Sequence, residues 1–572
     1  MEYSAILHDM DKRFCYAIDK DLFVIRVQVK KDDIKEIILH YEDKYIPLGW
    51  KDTRKTISMK KVATSQFHDY YEVQLQMHLV CLRYFFEFTD MQGEKVYYGN
   101  YEFSRECITN RDRMFDCPQN LREEEMFEVP EWAANKVVYQ IFPSRFAATE
   151  PVDKELWYKA PITPMDDLHG NLRGIIEHMD DIQNLGIDVL YMTPIFQSNS
   201  CHKYDTTDYY QIDPSFGTTE DLKELVQKAH ERGMKVVLDA VYNHTGREFF
   251  AFADILENGE KSKYRDWYFI DGFPLKSEWG EIPNFKCFGY YGGMPKLNLK
   301  NPEVEKYITD VACYWIKECD IDGWRLDVGD EISHFFWKNF RKAVKAVKKD
   351  MLIIGEIWHY AGDFLEGDEW DTVMNYPFYL NLIDLLADEK ITVSQFVQNL
   401  GYLKGRLHKN CYPLMWNLID SHDTARFLHL CNDNKKKQHL AAAFQLLLPG
   451  MPMIYYGDEY AMPGANDPDC RRGMYWDEEY QDKEMYEWYK RLIQVRKSHA
   501  CIVEGELAGS VTEDEEGTVV LIRKNGEETI AMIFNCSSSA KKFNEYTQKY
   551  NLLTENTFDG NVEGFDAAVI VL

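Results

Sequence analysis

Between Val137 and about Ser498 short apolar runs alternate with amphipathic ones. VVYQIF, IDVLYMTPIF, MKVVLDAVYNH, GWRLDV, LIIGEIWH, VMNYPF, PLMWNLID and MPMIYYGDE read as eight strands. Segments such as DLKELVQKAHERG between them carry the helical period. Strand, helix, strand, helix predicts a parallel sheet with crossovers. Runs such as Val236-Val237-Leu238 are apolar at every position, as strands covered on both faces must be. Eight such units predict an α/β fold, a TIM (β/α)8 barrel over residues 126–498.

The flanks have a different rhythm. FVIRVQV from Phe23 alternates apolar and polar residues, and VQLQMHLV from Val73 and CLRYFFEF from Cys81 follow as further strands. Residues 1–125 therefore read as an N-terminal β-sandwich. The acidic, proline-bearing NLREEEMFEVPEW reads as a linker. Residues 243–299, rich in Gly, Tyr and Phe and without a clear helix period, read as a loop-rich insertion after the third barrel strand. It ends at Asn301-Pro302-Glu303, an N-cap with proline at N1. The following helix places Val304, Ile308, Val311, Trp315 and Ile316 on one face. From residue 499 to 572, TVVLIRK, ETIAMIFN and AAVIVL predict a small C-terminal β domain.

A chain of 572 residues exceeds what one core supports, so several domains are expected. Lys and Arg number 66 against 95 Asp and Glu, a net charge of −29. That surface repels phosphate backbones and anionic lipid, which argues against nucleic-acid and membrane partners and favours a neutral substrate. The N-terminus lacks a basic start followed by an apolar stretch, and no apolar run approaches the roughly 18–20 residues of a membrane span. Thirteen dispersed cysteines without a CxxC pair fit reduced thiols, hence a cytoplasmic protein.

The working residues of a barrel sit at the C-terminal ends of its strands. Here Asp239, Asp327, Glu356 and Asp423 each follow such a run. One acid after a strand is as often a helix cap, but four converging like charges are costly unless used or paired. Paired carboxylates suit glycoside hydrolysis, one ionised to attack and one protonated to serve the leaving oxygen, at about 5–5.5 Å in a retaining enzyme. Arg325 lies two residues before Asp327 on one strand, so their side chains share a face. The cation is expected to lower the Asp327 pKa and keep it ionised.

At these positions the sequence resembles the α-amylase family of glycoside hydrolases: DAVYNH at 239–244, GWRLDV at 323–328, GEIWH at 355–359 and SHDTARF at 421–427 stand in the family's order. The resemblance implies Asp327 as nucleophile, Glu356 as general acid/base and Asp423 as transition-state stabiliser. It implies His244 and His422 as hydrogen-bonding partners of the −1 sugar, and Tyr204 as the ring stacked on it. MPKLN at 294–298, Trp358, HKYDTTDYYQIDPSFG from His202 and DPDCRRGM from Asp467 look like the cyclomaltodextrinase, maltogenic amylase and neopullulanase group. In that group an N-terminal sandwich covers the partner subunit's cleft in a homodimer. The narrowed pocket favours cyclodextrins and short maltooligosaccharides, with pullulan also cut and transglycosylation as side reaction. Trp358, Phe288 and Tyr376 are further candidates for lining the cleft, with core packing the alternative for the last two. Glu331 resembles a residue that positions an acceptor, with a helix-start carboxylate as its alternative.

The chain departs from the family where relatives hold calcium after the first barrel strand. FPSRF is followed by Ala147-Ala148-Thr149-Glu150, which removes most of the oxygen ligands a hard cation needs, so no metal and no other cofactor is expected. Asp420 stands where relatives have a small residue. Competing readings are a dedicated transglycosylase, an α-1,6-glucosidic hydrolase and a non-catalytic glucan-binding protein; the last usually loses one of the three acids retained here.

Overall fold

The computed structural model describes residues 1–47, 54–76, 78–100, 102–118, 121–122, 126–278 and 280–572. Met77, in the run expected as a strand from Val73, and Asn120 and residues 123–125 of the expected linker lie outside these. Two compact units divide the chain, and the chain crosses between them more than once.

The first unit holds residues 1–129 together with 361–368 and 391–412. Two antiparallel sheets face each other. Cys15–Ala17, Leu22–Lys30, His68–Gln76 and Lys60–Thr64 form one in that order, and the other is centred on Ile34–Asp43 and Cys81–Asp90. Between them lie Ile25, Val27, Leu39, Leu82, Phe86 and Phe88, all fully buried. The alternation in FVIRVQV predicts a solvated face for Arg26, yet Arg26 is buried. It pairs with Glu72 at 2.7 Å and donates to the Gly405 and Leu407 carbonyls, so the helix Val393–Arg406 covers that face.

The second unit contains the barrel. Its strands are β1 (Val138–Ile141), β2 (Val189–Met192), β3 (Lys235–Ala240), β4 (Gly323–Leu326), β5 (Leu352–Gly355), β6 (Thr372–Val373), β7 (Trp416–Asn417) and β8 (Met451–Tyr455). The hydrogen-bonded order is β6-β5-β4-β3-β2-β1-β8-β7, all parallel, and a bridge from Met374 to Trp416 joins the two ends. The eight strands are those the apolar runs predict. Asn301 caps the helix Pro302–Cys319, whose buried face carries Val304, Ile308, Val311, Trp315 and Ile316 as the period requires. The insertion is less irregular than its sequence suggests, since Phe250–Asn258 is a helix burying Ala251, Phe252 and Ile255. Aromatic residues at 249, 250 and 252 spread apolar surface around the turn and hide its period. Bridges between His244 and Lys296 and between Cys287 and Pro295 return the insertion to the mouth of β3. After the barrel, Glu506–Glu513, Thr518–Asn525, Glu528–Asn535 and Asp566–Val571 form an antiparallel sheet.

Candidate active site

Register sets the height of each acid. Asp239 on β3 and Arg325 on β4 are direct cross-strand partners, and Leu326 pairs with Gly355 of β5. Beyond the strand ends the ladder continues, with Asp327 N donating to Ala240 O at 3.1 Å and Glu356 N to Leu326 O at 3.0 Å. Asp327 and Glu356 thus leave adjacent strands at the same level. A side chain at Gly355 would collide with the indole of Trp370, so this turn out of β5 admits only glycine. Val328 has φ 48°, a left-handed conformation costly for a β-branched residue. That turn aims the Val328 amide at Glu356 Oε2, 2.9 Å away.

Arg325 is the hub. Its Nη1 lies 3.0 Å from both oxygens of Asp239 and 2.9 Å from Asp327 Oδ1. Its Nη2 lies 2.7 Å from Glu356 Oε2 and 4.0 Å from Asp423 Oδ2. One fully buried cation therefore faces four carboxylates. Asp239 is saturated further by the phenols of Tyr191 at 2.6 Å and Tyr204 at 3.1 Å. Asp327 Oδ2, by contrast, is buried with no hydrogen-bond partner among the described residues.

The expectation that Arg325 holds Asp327 below the carboxylate range is not met. Burial pushes Asp327 well above it; Arg325 pulls the other way, and Glu356, Asp239 and Asp423 add to the rise. Asp239 is likewise pushed up to about 6, mainly by burial. The sequence shows the cation two residues away but not the desolvation or the sum of four acids. Burial and the three facing acids thus favour the protonated form of Asp327 more than a single Asp–Arg pair would.

Burial disfavours the charged form of both cleft histidines. Burial lowers His244 to about 3 and holds His422 well below the ordinary range, so both act as hydrogen-bonding groups. His422 Nε2 lies 3.2 Å from Asp423 Oδ2 and also contacts the Tyr204 phenol, while Gln140 Nε2 fixes its Nδ1 at 2.7 Å. The Tyr204 and His422 rings are parallel within 1°. His244 reaches the Tyr204 carbonyl at 3.1 Å and stacks on Phe288, which is part-exposed. Trp358, 42% exposed, stacks at 3.9 Å on the buried Tyr376 and donates to Glu356 Oε1 at 3.2 Å. The exposed Glu331 lies 3.3 Å from Lys296 Nζ and accepts from Asn243 at 3.2 Å.

The structure therefore brings Asp239, Arg325, Asp327, Glu356, Asp423, His422 and Tyr204 into one hydrogen-bonded group. His244 joins it through the backbone of Tyr204, Phe288 through His244, Trp358 through Glu356, and Tyr376 beneath Trp358. Glu331 joins it at one further remove, through Asn243, whose Nδ2 lies 3.5 Å from His244 Nδ1.

Sequence reasoning missed Gln140, Tyr191, Lys296 and Arg471. Arg471 Nε donates to the His422 carbonyl at 2.7 Å and its Nη2 to Asp423 Oδ1 at 3.3 Å, so it sets the orientation of the fourth acid. Its signal was available in DPDCRRGM, as was that of Gln140 and Tyr191, polar groups inside fully apolar strands.

Removing the hub should cost stability as well as activity. Arg325→Met is expected to lose about 3–5 kcal/mol at neutral pH, because acids are left buried without their cation. Those acids become neutral as pH falls, so the deficit shrinks toward about pH 5. Thermal unfolding at both pH values checks this, and a deficit that grows in acid would overturn it.

Comparison with known proteins agrees with the geometry. The family described as "Alpha amylase, catalytic domain" matches residues 140–480, and "Alpha amylase, N-terminal ig-like domain" matches residues 1–119. A cyclomaltodextrinase of Geobacillus thermopakistaniensis is 42% identical over 94% of this chain and 92% of its own. Neopullulanase 2 of Thermoactinomyces vulgaris is 39% identical over 94% of this chain and 91% of its own. A solved cyclomaltodextrinase structure superposes over 100% of both chains with a TM-score of 0.94 at 36% identity. The chain belongs to the alpha-amylase family and is a glycoside hydrolase.

Proposed function

We propose that the enzyme hydrolyses α-1,4-glucosidic bonds of cyclodextrins, short maltooligosaccharides and pullulan with retention of configuration. The supporting observation is that Asp327 and Glu356 grip two nitrogens of one guanidinium while Asp327 Oδ2 is left without a donor. Oδ2 attacks the anomeric carbon, and the glycosidic oxygen leaves with the proton of Glu356. Water then loses a proton to Glu356 and attacks the same carbon, releasing Asp327. A sugar hydroxyl in place of water gives transglycosylation. Asp423, steered by Arg471 and His422, is placed to stabilise the oxocarbenium-like centre.

The loop after β1 does not fit calcium. Ala147 O accepts from the Asn171 amide at 2.9 Å, and Asn171 itself caps Gly174 and donates to Thr149 Oγ1 at 3.1 Å. The Ala147 carbonyl, Asn171 Oδ1 and Thr149 Oγ1 thus already accept from protein donors, which supports a loop without calcium.

Among the described residues no helix is long and apolar enough to cross a membrane. A cytoplasmic location is supported by thirteen cysteines, none of them in a disulfide among the described residues. Homodimerisation through the N-terminal sandwich is carried by the resemblance to the group that has this module, and residues 1–119 match an alpha amylase N-terminal ig-like domain. Comparative kinetics on β-cyclodextrin, pullulan and starch should rank starch last, with rates unchanged by a chelator and a solution mass of two chains. Starch as the best substrate, or a chelator-sensitive rate, would refute this reading.

A further inference from the structure

A second cluster of buried acids lies behind the Asp423 loop and takes no part in the chemistry above. Asp420 and Asp458 are each 1% exposed, and Arg426, paired with Asp458, is fully buried. Arg426 Nη1 donates to Asp458 Oδ1 at 2.9 Å and its Nε to the Cys470 carbonyl at 3.1 Å, with the guanidinium 3.8 Å over the Tyr455 ring. Asp420 Oδ2 accepts the Phe427 amide at 2.7 Å, which closes the 420–427 loop. Inside that loop are Ser421, His422, Asp423 and Thr424, tied by Ser421 N to Thr424 Oγ1 at 3.0 Å and Asp423 N to Ser421 Oγ at 3.2 Å.

The remaining oxygens, Asp420 Oδ1 and Asp458 Oδ2, are buried and have no donor from the protein. The two carboxyls are nevertheless within hydrogen-bond reach of each other. Two ionised carboxylates in contact, with one cation paired to Asp458, would leave a buried uncompensated charge. A single proton held between Oδ1 and Oδ2 satisfies both acceptors and makes the trio neutral.

We propose that Asp420 and Asp458 share one proton, and that this hydrogen bond is the strut positioning the loop that carries His422 and Asp423. Asp420 is a positioning residue; it touches no reacting atom. Around the pair stand Arg426 from the loop itself, Glu459 beside Asp458, Tyr139 from β1, Tyr455 and Tyr456 at the end of β8, Cys470, and Tyr489 and Gln438 from the helices Lys483–Ser498 and Lys435–Leu447. Glu459 is engaged separately, by the Tyr139 phenol at 2.7 Å and the Gly457 amide at 2.9 Å, which leaves Arg426 as the cation bound to Asp458 and acting on Asp420 from farther off. Burial raises both acids above the ordinary carboxylate range, Asp458 well above it with the facing Asp420 adding to the rise. For an acid raised on folding, the stabilisation is complete below the unfolded value and is lost as pH climbs through the folded one. The strut should therefore weaken on the alkaline side.

The link to turnover rests on Asp423 acting as proposed above; the link to the proton does not. The test compares Asp420→Asn with Asp420→Ala. An amide donates to Asp458 without needing a proton. Asp420→Asn is thus expected to keep kcat on β-cyclodextrin within about threefold, while Asp420→Ala lowers kcat about tenfold to a hundredfold, with KM moving less. As pH rises from about 4, the ordinary carboxylate value, the wild type should lose more thermal stability than Asp420→Asn does. The infrared difference spectrum between the two should contain the carbonyl band of a protonated carboxylic acid, present in wild type and absent in the variant. If Asp420→Ala does not fold, the stability profile and the infrared band still decide the matter. Superimposable pH profiles, or no such band, would overturn the shared proton. If band and profile are found but kcat is untouched in Asp420→Ala, the positioning role falls.

Discussion

Asp327→Asn is expected to lower kcat/KM on β-cyclodextrin by about 10⁴-fold or more, some 5.5 kcal/mol of transition-state stabilisation, with the fold intact. The amide is isosteric and its oxygen still accepts from Arg325, which holds Oδ1 of the wild-type carboxylate at 2.9 Å. What is lost is the second oxygen, which has no hydrogen-bond partner and supplies the attacking pair. Stability should not follow activity. Burial raises Asp327 well above its unfolded value, so folding at neutral pH opposes its ionisation. The amide bears no such cost, and its advantage should grow as pH rises above the ordinary carboxylate range and vanish below it. Asp327→Gly supplied with azide gives a sharper readout. Azide entering from the vacated carboxylate's side of an α-glucoside should yield the β-glycosyl azide. Near-normal hydrolysis by Asp327→Asn, or an α-configured azide product, would remove Asp327 from the reaction.

Much of this constellation is legible in the chain because barrel strands are short and periodic. Arg325 and Asp327 must share a face two residues apart, and the runs ending at Asp239, Asp327 and Glu356 must open at one end of the barrel. The eight strands and the helix Pro302–Cys319 follow from the same periodicities. Quantities that depend on everything packed around a residue are not legible. The proton affinity of Asp327 follows from its burial and three neighbouring acids on separate segments, so its direction is opposite to what the nearest cation suggests. Arg26 reads as a solvated strand position until residues 405–407, distant in sequence, present carbonyls to it. Asp420 registers in the sequence only as an unusual residue before SHD; its partner Asp458 lies on another strand end. Gln140 and Tyr191 were visible as polar groups in apolar runs, but their partners, His422 and Asp239, were not.

Glu356→Gln should divide substrates by how much their leaving group needs a proton. On β-cyclodextrin or maltotriose the loss is expected to be about 10³-fold, the usual worth of a positioned general acid. With α-maltosyl fluoride the departing fluoride needs little protonation, so attack by Asp327 proceeds. The second step then stalls, because the amide has no basic site to take a proton from water. A maltosyl ester on Asp327 should accumulate and be visible as a maltosyl mass increment on the intact chain and on the peptide containing residue 327. The substitution gives up one hydrogen bond, from the part-exposed Trp358 indole to Oε1, and keeps the others. The side-chain oxygen of glutamine still accepts from the Val328 amide, which meets Glu356 Oε2 at 2.9 Å, while the strained backbone at Val328 is unchanged. Nη2 of Arg325, 2.7 Å from that same Oε2 in the wild type, keeps its acceptor. If fluoride and cyclodextrin were slowed equally and no ester formed, Glu356 would be acting through structure and not as the proton donor. The same ester absent from Asp327→Asn under identical conditions ties the two assignments together, since each variant blocks a different half of one double displacement.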